Sequence, residues 1–148
     1  RFERADLAKM PKKLEDTFNS DSLKGIIFAP SNPFLSIEPI LSVSGIKSAI
    51  KKIKVPKIAI SPIVNGGSVK GPTDKIMSEL GMEVNNLSIV KHYENLFSHL
   101  IIDQSDKSCV DEIENSGISV LVTNTLMRKL SDKIALAEKT LKALSEVK

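Results

Sequence analysis

The segment Ser61-Pro-Ile-Val-Asn-Gly-Gly-Ser-Val-Lys-Gly-Pro72 constrains the fold more than any other part of the chain. The apolar run Ile58-Ala-Ile60 precedes it, and a helical pattern over 73–80 follows it. A buried strand, a glycine-bearing turn and a helix start, in that order, specify a strand–turn–helix unit. The same unit has the parts of an anion site. The Gly66-Gly67 backbone lets N–H groups come close to a phosphate, the helix start adds a favourable dipole, and Lys70 supplies a full positive charge. The segment lacks the Gly-Lys-Ser/Thr ending of the nucleotide-binding P-loop. The competing reading is a plain strand-to-helix turn, with Gly67 and Gly71 present for geometry.

Two further segments repeat the arrangement. Gly25-Ile-Ile-Phe-Ala29 reads as a buried strand followed by Pro30-Ser-Asn-Pro33, and Ile118-Ser-Val-Leu-Val122 reads as another that runs into Thr123-Asn-Thr125. In a parallel sheet all three polar loops emerge on one edge, and open α/β sheets bind ligands in the crevice at that edge. Ser31, Asn32, Thr123 and Thr125 are therefore candidate binding residues.

The rest of the chain alternates in the same way. A short helix is expected over 11–18, with Leu14 and Phe18 on one face. Helical structure starts at Ser36 or the nearby turn, breaks near 42–45 and resumes to Ile53. Gly81 closes the helix over 73–80. Asn85 or Asn86 caps a helix to Tyr93, with Leu87, Val90 and Tyr93 on its apolar side. Asp103 ends a strand over 100–102, and Ser105 or Asp106 caps a helix to about Asn115. Ser131 caps a last helix whose buried face is Ile134, Ala137, Leu141 and Leu144. Strands alternating with helices predict an α/β, Rossmann-like three-layer fold with a mainly parallel sheet.

Composition narrows the function classes. The chain has 148 residues, 41% of them hydrophobic, enough for one globular core. No apolar run approaches the roughly 18 residues of a membrane span, and a cytoplasmic location without membrane contact is expected. The single cysteine, Cys109, excludes an internal disulfide and a Cys-rich metal site; it reads as a core or half-buried thiol. A net charge of +3, one Tyr and no Trp argue against nucleic acid as a partner. Lys47, Lys51 and Lys54 share one helical face and read as solvated. His92 and His99 read as ordinary surface or edge histidines. Asp103 and Asp106 are conceivable bases but read as cap and turn residues, so the catalytic residue stays unassigned.

Four blocks, taken together, carry a family resemblance. They are Ala29-Pro-Ser-Asn-Pro-Phe-Leu-Ser-Ile-Glu-Pro-Ile-Leu41, the 61–72 segment, Leu100-Ile-Ile-Asp-Gln-Ser-Asp106 and Val120-Leu-Val-Thr-Asn-Thr-Leu-Met127. In this order they resemble the 2-phospho-L-lactate transferases of coenzyme F-420 biosynthesis, over about residues 1–143. Asn124 stands where Asp is expected, Ser68 where a basic or small residue is common, and Ala29 where Gly is usual.

The resemblance implies a transferase. It moves a phospholactyl group, or a related phosphoenolpyruvyl group, from a guanosine diphosphate-linked donor to the deazaflavin precursor Fo, using Mg²⁺. It assigns Ser31, Asn32, Pro33, Ser36, Gly66, Gly67, Lys70, Thr123 and Thr125 to substrate and nucleotide binding. It covers only the C-terminal half of such an enzyme. Residues 1–148 are thus read as the C-terminal part of a larger α/β domain, an incomplete domain whose N-terminal half is absent. The metal ligands, and much of the Fo site, are expected in that half, and the fragment alone is expected to be inactive. An exposed sheet edge or apolar face should remain, with a second copy of the chain, as a homodimer, one candidate to cover it. The alternatives are a non-catalytic nucleotide-sugar-binding regulator of the same superfamily and a plain Rossmann-like interaction domain.

Overall fold

A computed structural model describes residues 2–4 and 7–147. Four strands, β1 (Ile26–Phe28), β2 (Lys57–Ile60), β5 (His99–Asp103) and β6 (Ser119–Thr123), form one all-parallel sheet in the order β1-β2-β5-β6. Each new strand is added on the same side of the last. Right-handed crossovers then place every connecting helix on one face. Those connections hold α2 (Glu38–Leu41) and α3 (Ile46–Lys52), then α4 (Thr73–Glu79) and α5 (Asn86–Tyr93), then α6 (Val110–Glu114). The opposite face receives α7 (Leu130–Glu146), which follows the last strand. The result is the expected three-layer α/β fold. A short α1 (Lys12–Phe18) lends Leu14 and Phe18 to the first face.

Strand register sorts the side chains. Phe28, Ala59, Leu100 and Val120 lie in one row facing the connecting helices, and Ile60, Ile101 and Leu121 lie in a row facing α7. The first face carries the larger core: Phe28, Ala59, Leu100 and Ile102 pack with Ile46, Ile50, Met77, Ile89, Tyr93 and Ile113. Phe28, Tyr93 and Phe97 form a ring cluster with centroids 5.6–6.0 Å apart, in edge and tilted arrangements that aromatic quadrupoles favour.

Several local expectations are sharpened or corrected. Helical structure after β1 begins in the turn just before Ser36, at Pro33: a π-helical turn, Pro33–Ile37, precedes α2, because the Asn32 side chain caps the N–H groups of Phe34 and Leu35. The cap after β5 is Asp103, which accepts from Ser105 N–H at 3.0 Å and starts a 3-10 turn, Gln104–Cys109, ahead of α6. The α7 start is held by Asp132, which accepts from the N–H groups of Arg128 and Lys129, rather than by Ser131.

The buried stripe of α5 is Asn86, Ile89, Val90 and Tyr93, while Leu87 is half-buried. That of α7 is Leu136 and Thr140, continued by the partly buried Ala143 and Leu144. Ile134, Ala137 and Leu141 face outward, so of the expected face only Leu144 is on the packed side. In both helices a polar residue sits on the buried stripe. In α7 the Thr140 hydroxyl satisfies itself on the Leu136 carbonyl at 2.7 Å.

The glycine-bearing loop after β2 is itself ordered. It contains an antiparallel hairpin, β3 (Ile63–Val64) and β4 (Gly67–Ser68), turned by Asn65 and Gly66, both at positive φ (53° and 70°). Two successive left-handed residues make the type I′ turn that matches strand twist, and Asn-Gly is its preferred pair.

Candidate functional site

All four strands point the same way, so the segments that follow them share one edge. There Pro30 and Asn32, then Ser61, Pro62, Val64, Val69, Lys70 and Thr73, then Thr125, Leu126 and Met127 line one cavity of about 160 Å³. The three polar loops singled out in the sequence therefore converge.

The polar lining is fixed by contacts between loops. Asn32 is fully engaged on its oxygen, which caps the π-helical turn, and its amide nitrogen donates to Thr73 Oγ1 at 2.9 Å. One of the two amide hydrogens remains. Thr73 accepts from Asn32, and Ser61 Oγ accepts from Ile63 N–H at 3.1 Å. Both residues are 1% exposed. Each hydroxyl keeps its own proton, and neither donates to a protein acceptor among the described residues. Lys70 is exposed at the rim and forms no ion pair among the described residues. Thr125 differs: its N–H and hydroxyl donate to Asp103 Oδ2 at 2.8 and 3.2 Å, which leaves an acceptor lone pair. The cavity thus offers two hydroxyl protons, one amide hydrogen and an ammonium. A donor-rich recess with apolar flanks at Val64, Val69, Leu126 and Met127 suits an anionic group joined to an apolar or aromatic body.

Of the sequence candidates, Asn32, Lys70 and Thr125 line this cavity. Pro33 is buried as the first residue of the π-helical turn. Ser31 is half-buried beside the cavity, with its N–H on the Ala29 carbonyl. Ser36 is exposed away from the cavity. Gly66 donates its N–H to Asp106 Oδ1 at 3.1 Å, and Gly67 sits in β4 paired with Val64. Neither lines the recess. Thr123 turns to the α7 side, where its hydroxyl accepts from Lys139 Nζ at 2.6 Å beside Leu121, Lys142 and Glu146. Ser61 and Thr73 were missed because buried hydroxyls at a strand end and a helix start look like ordinary turn residues.

Asp103 is 3% exposed. Burial alone would push its carboxyl up, but the N–H and hydroxyl groups of Ser105 and Thr125 outweigh burial and hold it below the usual carboxylate range. It is a fixed carboxylate tying two loops, not a poised base. Cys109 is half-buried, its Sγ donates to the Asp106 carbonyl, and burial raises its pKa. His92 packs on Phe34 and Tyr93, with burial lowering its pKa. Lys47 and Lys51 pair with Glu94 at 3.0 and 3.9 Å. The Mg²⁺ implied by the resemblance finds no fitting donor set: no three His, Cys, Asp or Glu side chains cluster among the described residues. Both oxygens of Asp103 and of Asp106 are already occupied by protein donors.

An all-parallel sheet under helices, with polar loops meeting around a cavity at its C-terminal edge, defines a Rossmann-like α/β protein. The family model described as "2-phospho-L-lactate transferase CofD" matches residues 3–126. A 2-phospho-L-lactate transferase of Methanocaldococcus jannaschii is 39% identical over 137 residues, covering 93% of this chain and 42% of the relative. A phosphoenolpyruvate transferase of Streptomyces griseus is 35% identical over 124 residues (83% and 39%), and a 2-phospho-L-lactate transferase of Methanosarcina barkeri is 34% identical over 128 (86% and 40%). The chain belongs to the 2-phospho-L-lactate transferase family, a family of transferases, and spans about two-fifths of the length of these relatives. Among the described residues no helix is long and apolar enough to cross a membrane.

Proposed function

We propose that the longer protein moves a phospholactyl group, or the related phosphoenolpyruvyl group, from a guanosine diphosphate-linked donor to the deazaflavin precursor Fo, and that this chain supplies a phosphate cradle for the donor. One observation carries the reading. Ser61, Thr73 and Asn32 present donor hydrogens to a recess rimmed by the Lys70 ammonium. Donors fixed before the ligand arrives stabilise charge that builds on phosphate oxygens as a P–O bond breaks, without reorganisation. Lys70 neutralises, the two hydroxyls and the amide orient, and Thr125 accepts from a ligand hydroxyl or amide. Mg²⁺, which the family resemblance implies, is assigned to residues outside this chain. The reading also places the protein in the cytoplasm.

Calorimetric titration of guanosine and uridine diphosphates into the full-length protein and its Lys70→Met variant tests this. The guanosine ligand should bind preferentially, and the variant should lose about 1.5–3 kcal/mol, the range for a charge-assisted hydrogen bond. Equal affinity in the variant, with an unchanged melting temperature, would remove the phosphate from this recess. Preference for uridine would favour a nucleotide-sugar-binding regulator instead.

A further inference from the structure

The hairpin turn holds an anion of its own. Asn65 and Gly66 have φ of 53° and 70°, so their successive N–H groups point to the same side and form a concave pair of donors. Such backbone nests bind anions. Here the anion is a side chain from 40 residues along the sequence. Asp106 Oδ2 accepts from Asn65 N–H at 2.9 Å, and Oδ1 accepts from Gly66 N–H at 3.1 Å. Asp106 itself sits at a non-helical kink of the 3-10 turn (φ −102°, ψ 16°), which aims its carboxylate at the hairpin.

The same turn grips the opposite wall. Asp103 holds the N–H and hydroxyl of Thr125, and Ser105 Oγ lies 2.8 Å from Asp103 Oδ1 and 3.4 Å from Asp106 Oδ2. One short segment, from the last residue of β5 into the turn that follows, therefore fixes two walls of the cavity: Val64, Val69 and Lys70 through the hairpin, and Thr125, Leu126 and Met127 through the loop after β6.

We infer that Asp106 is a positioning residue of the nucleotide site. It fills the hairpin's anion nest with a resident carboxylate, sets Lys70 over the Ser61 and Thr73 hydroxyls, and directs an incoming phosphate to that recess and away from the hairpin N–H groups. This inference rests on the reading of the cavity as a phosphate cradle.

Asp106→Gly in the full-length protein empties the nest and leaves room for free formate; Asp106→Asn keeps one acceptor oxygen. Three measurements are compared: amide hydrogen exchange at Asn65 and Gly66, affinity for guanosine diphosphate, and melting temperature, each with and without formate. In Asp106→Gly both amides should exchange at least about tenfold faster and affinity should fall about tenfold, as the loss of a charged acceptor implies. Formate should restore both in this variant and move neither in the wild type. Asp106→Asn should fall between, and it carries the test if Asp106→Gly does not fold. Exposed amides with unchanged affinity would overturn the inference, because the carboxylate would then only tie a turn. Amides indifferent to both substitutions would overturn it as well. A wild-type protein that binds no guanosine diphosphate would overturn both the cradle reading and the positioning role. Amides that still respond to formate would then show that the cradle failed and the clamp did not.

Discussion

The two faces of the sheet are unequal. Helices α2 to α6, with α1 packed beside them, cover one face and seal it with an aromatic cluster. Among the described residues the other face has α7 alone over Ile58, Ile60 and Ile101, with Ile27 (40% exposed) and Leu121 (37% exposed) left open on the two outer strands. Three large apolar side chains also stand open among the charged residues on the outer side of α7: Leu130, Ile134 and Leu141 are 71%, 50% and 58% exposed. The strand order explains this. A sheet that grows in one direction sends all its right-handed crossovers to one side, and among the described residues no crossover reaches the other side. Burial in an α/β protein is therefore governed by connectivity as much as by hydrophobicity.

The inequality can be tested from the largest expected effect downward. Ile102 and Ile101 are neighbours in β5, both fully buried, on opposite faces. Ile102→Ala should cost about 3–5 kcal/mol in urea unfolding and Ile101→Ala about 2–3, because a cavity under a single helix collapses more readily. Equal losses would break the comparison. Gly25 marks where α7 crosses β1: a Cβ there would lie 2.5 Å from the Leu144 side chain. Gly25→Val should cost about 1–3 kcal/mol by overpacking, and Leu144→Ala in the same chain should recover part of it.

At the rim between the faces, Asp103→Asn should cost about 1–2 kcal/mol at neutral pH, since it puts an amide donor against Ser105 and Thr125. The sign of its pH dependence follows from its depressed pKa. The wild-type contribution is present above the ordinary Asp value of 3.8 and is lost as pH falls through the lower folded-state value. Acid unfolding curves of the two proteins should converge at low pH; parallel curves would mean that the carboxylate is not held by the fold. Smallest of all, Ile134→Gln and Leu141→Gln should each change stability by less than about 0.5 kcal/mol. A larger loss in the longer protein would show that something covers this face.

The layer structure was legible because short apolar runs alternate with helical patterns, and parallel strands then force the loops to one edge. The buried stripes were less so. Asn86 and Thr140 lie on them: in α5 Val90 and Tyr93 still fall on the buried side as expected, but in α7, where the buried side carries Thr140, a count of apolar residues selects the wrong side. The hairpin signal was present in Asn65-Gly66, but glycines beside a lysine also fit an anion loop, and pattern alone did not separate the two. The partners that decide the site are distant in sequence. Asn32 meets Thr73 across 41 residues, and Asp106 meets Gly66 across 40. No local pattern encodes such pairs.

The Asn65-Gly66 turn has a chemical lifetime as well as a shape. An exposed asparagine followed by glycine ages when the glycine nitrogen attacks the side-chain amide, expels ammonia and closes a succinimide that water opens to aspartate or isoaspartate. In this protein the attacking nitrogen is Gly66 N, whose hydrogen is held by Asp106. Ring closure must swing Gly66 N onto the Asn65 side-chain amide carbon and away from Asp106, so the carboxylate that fixes the turn should also slow its ageing. Long storage should convert Asn65 faster in Asp106→Gly than in the wild type, as peptide mass spectrometry would record. Asn32 is exempt for a different reason: Pro33 follows it, and a proline nitrogen has no hydrogen to give up.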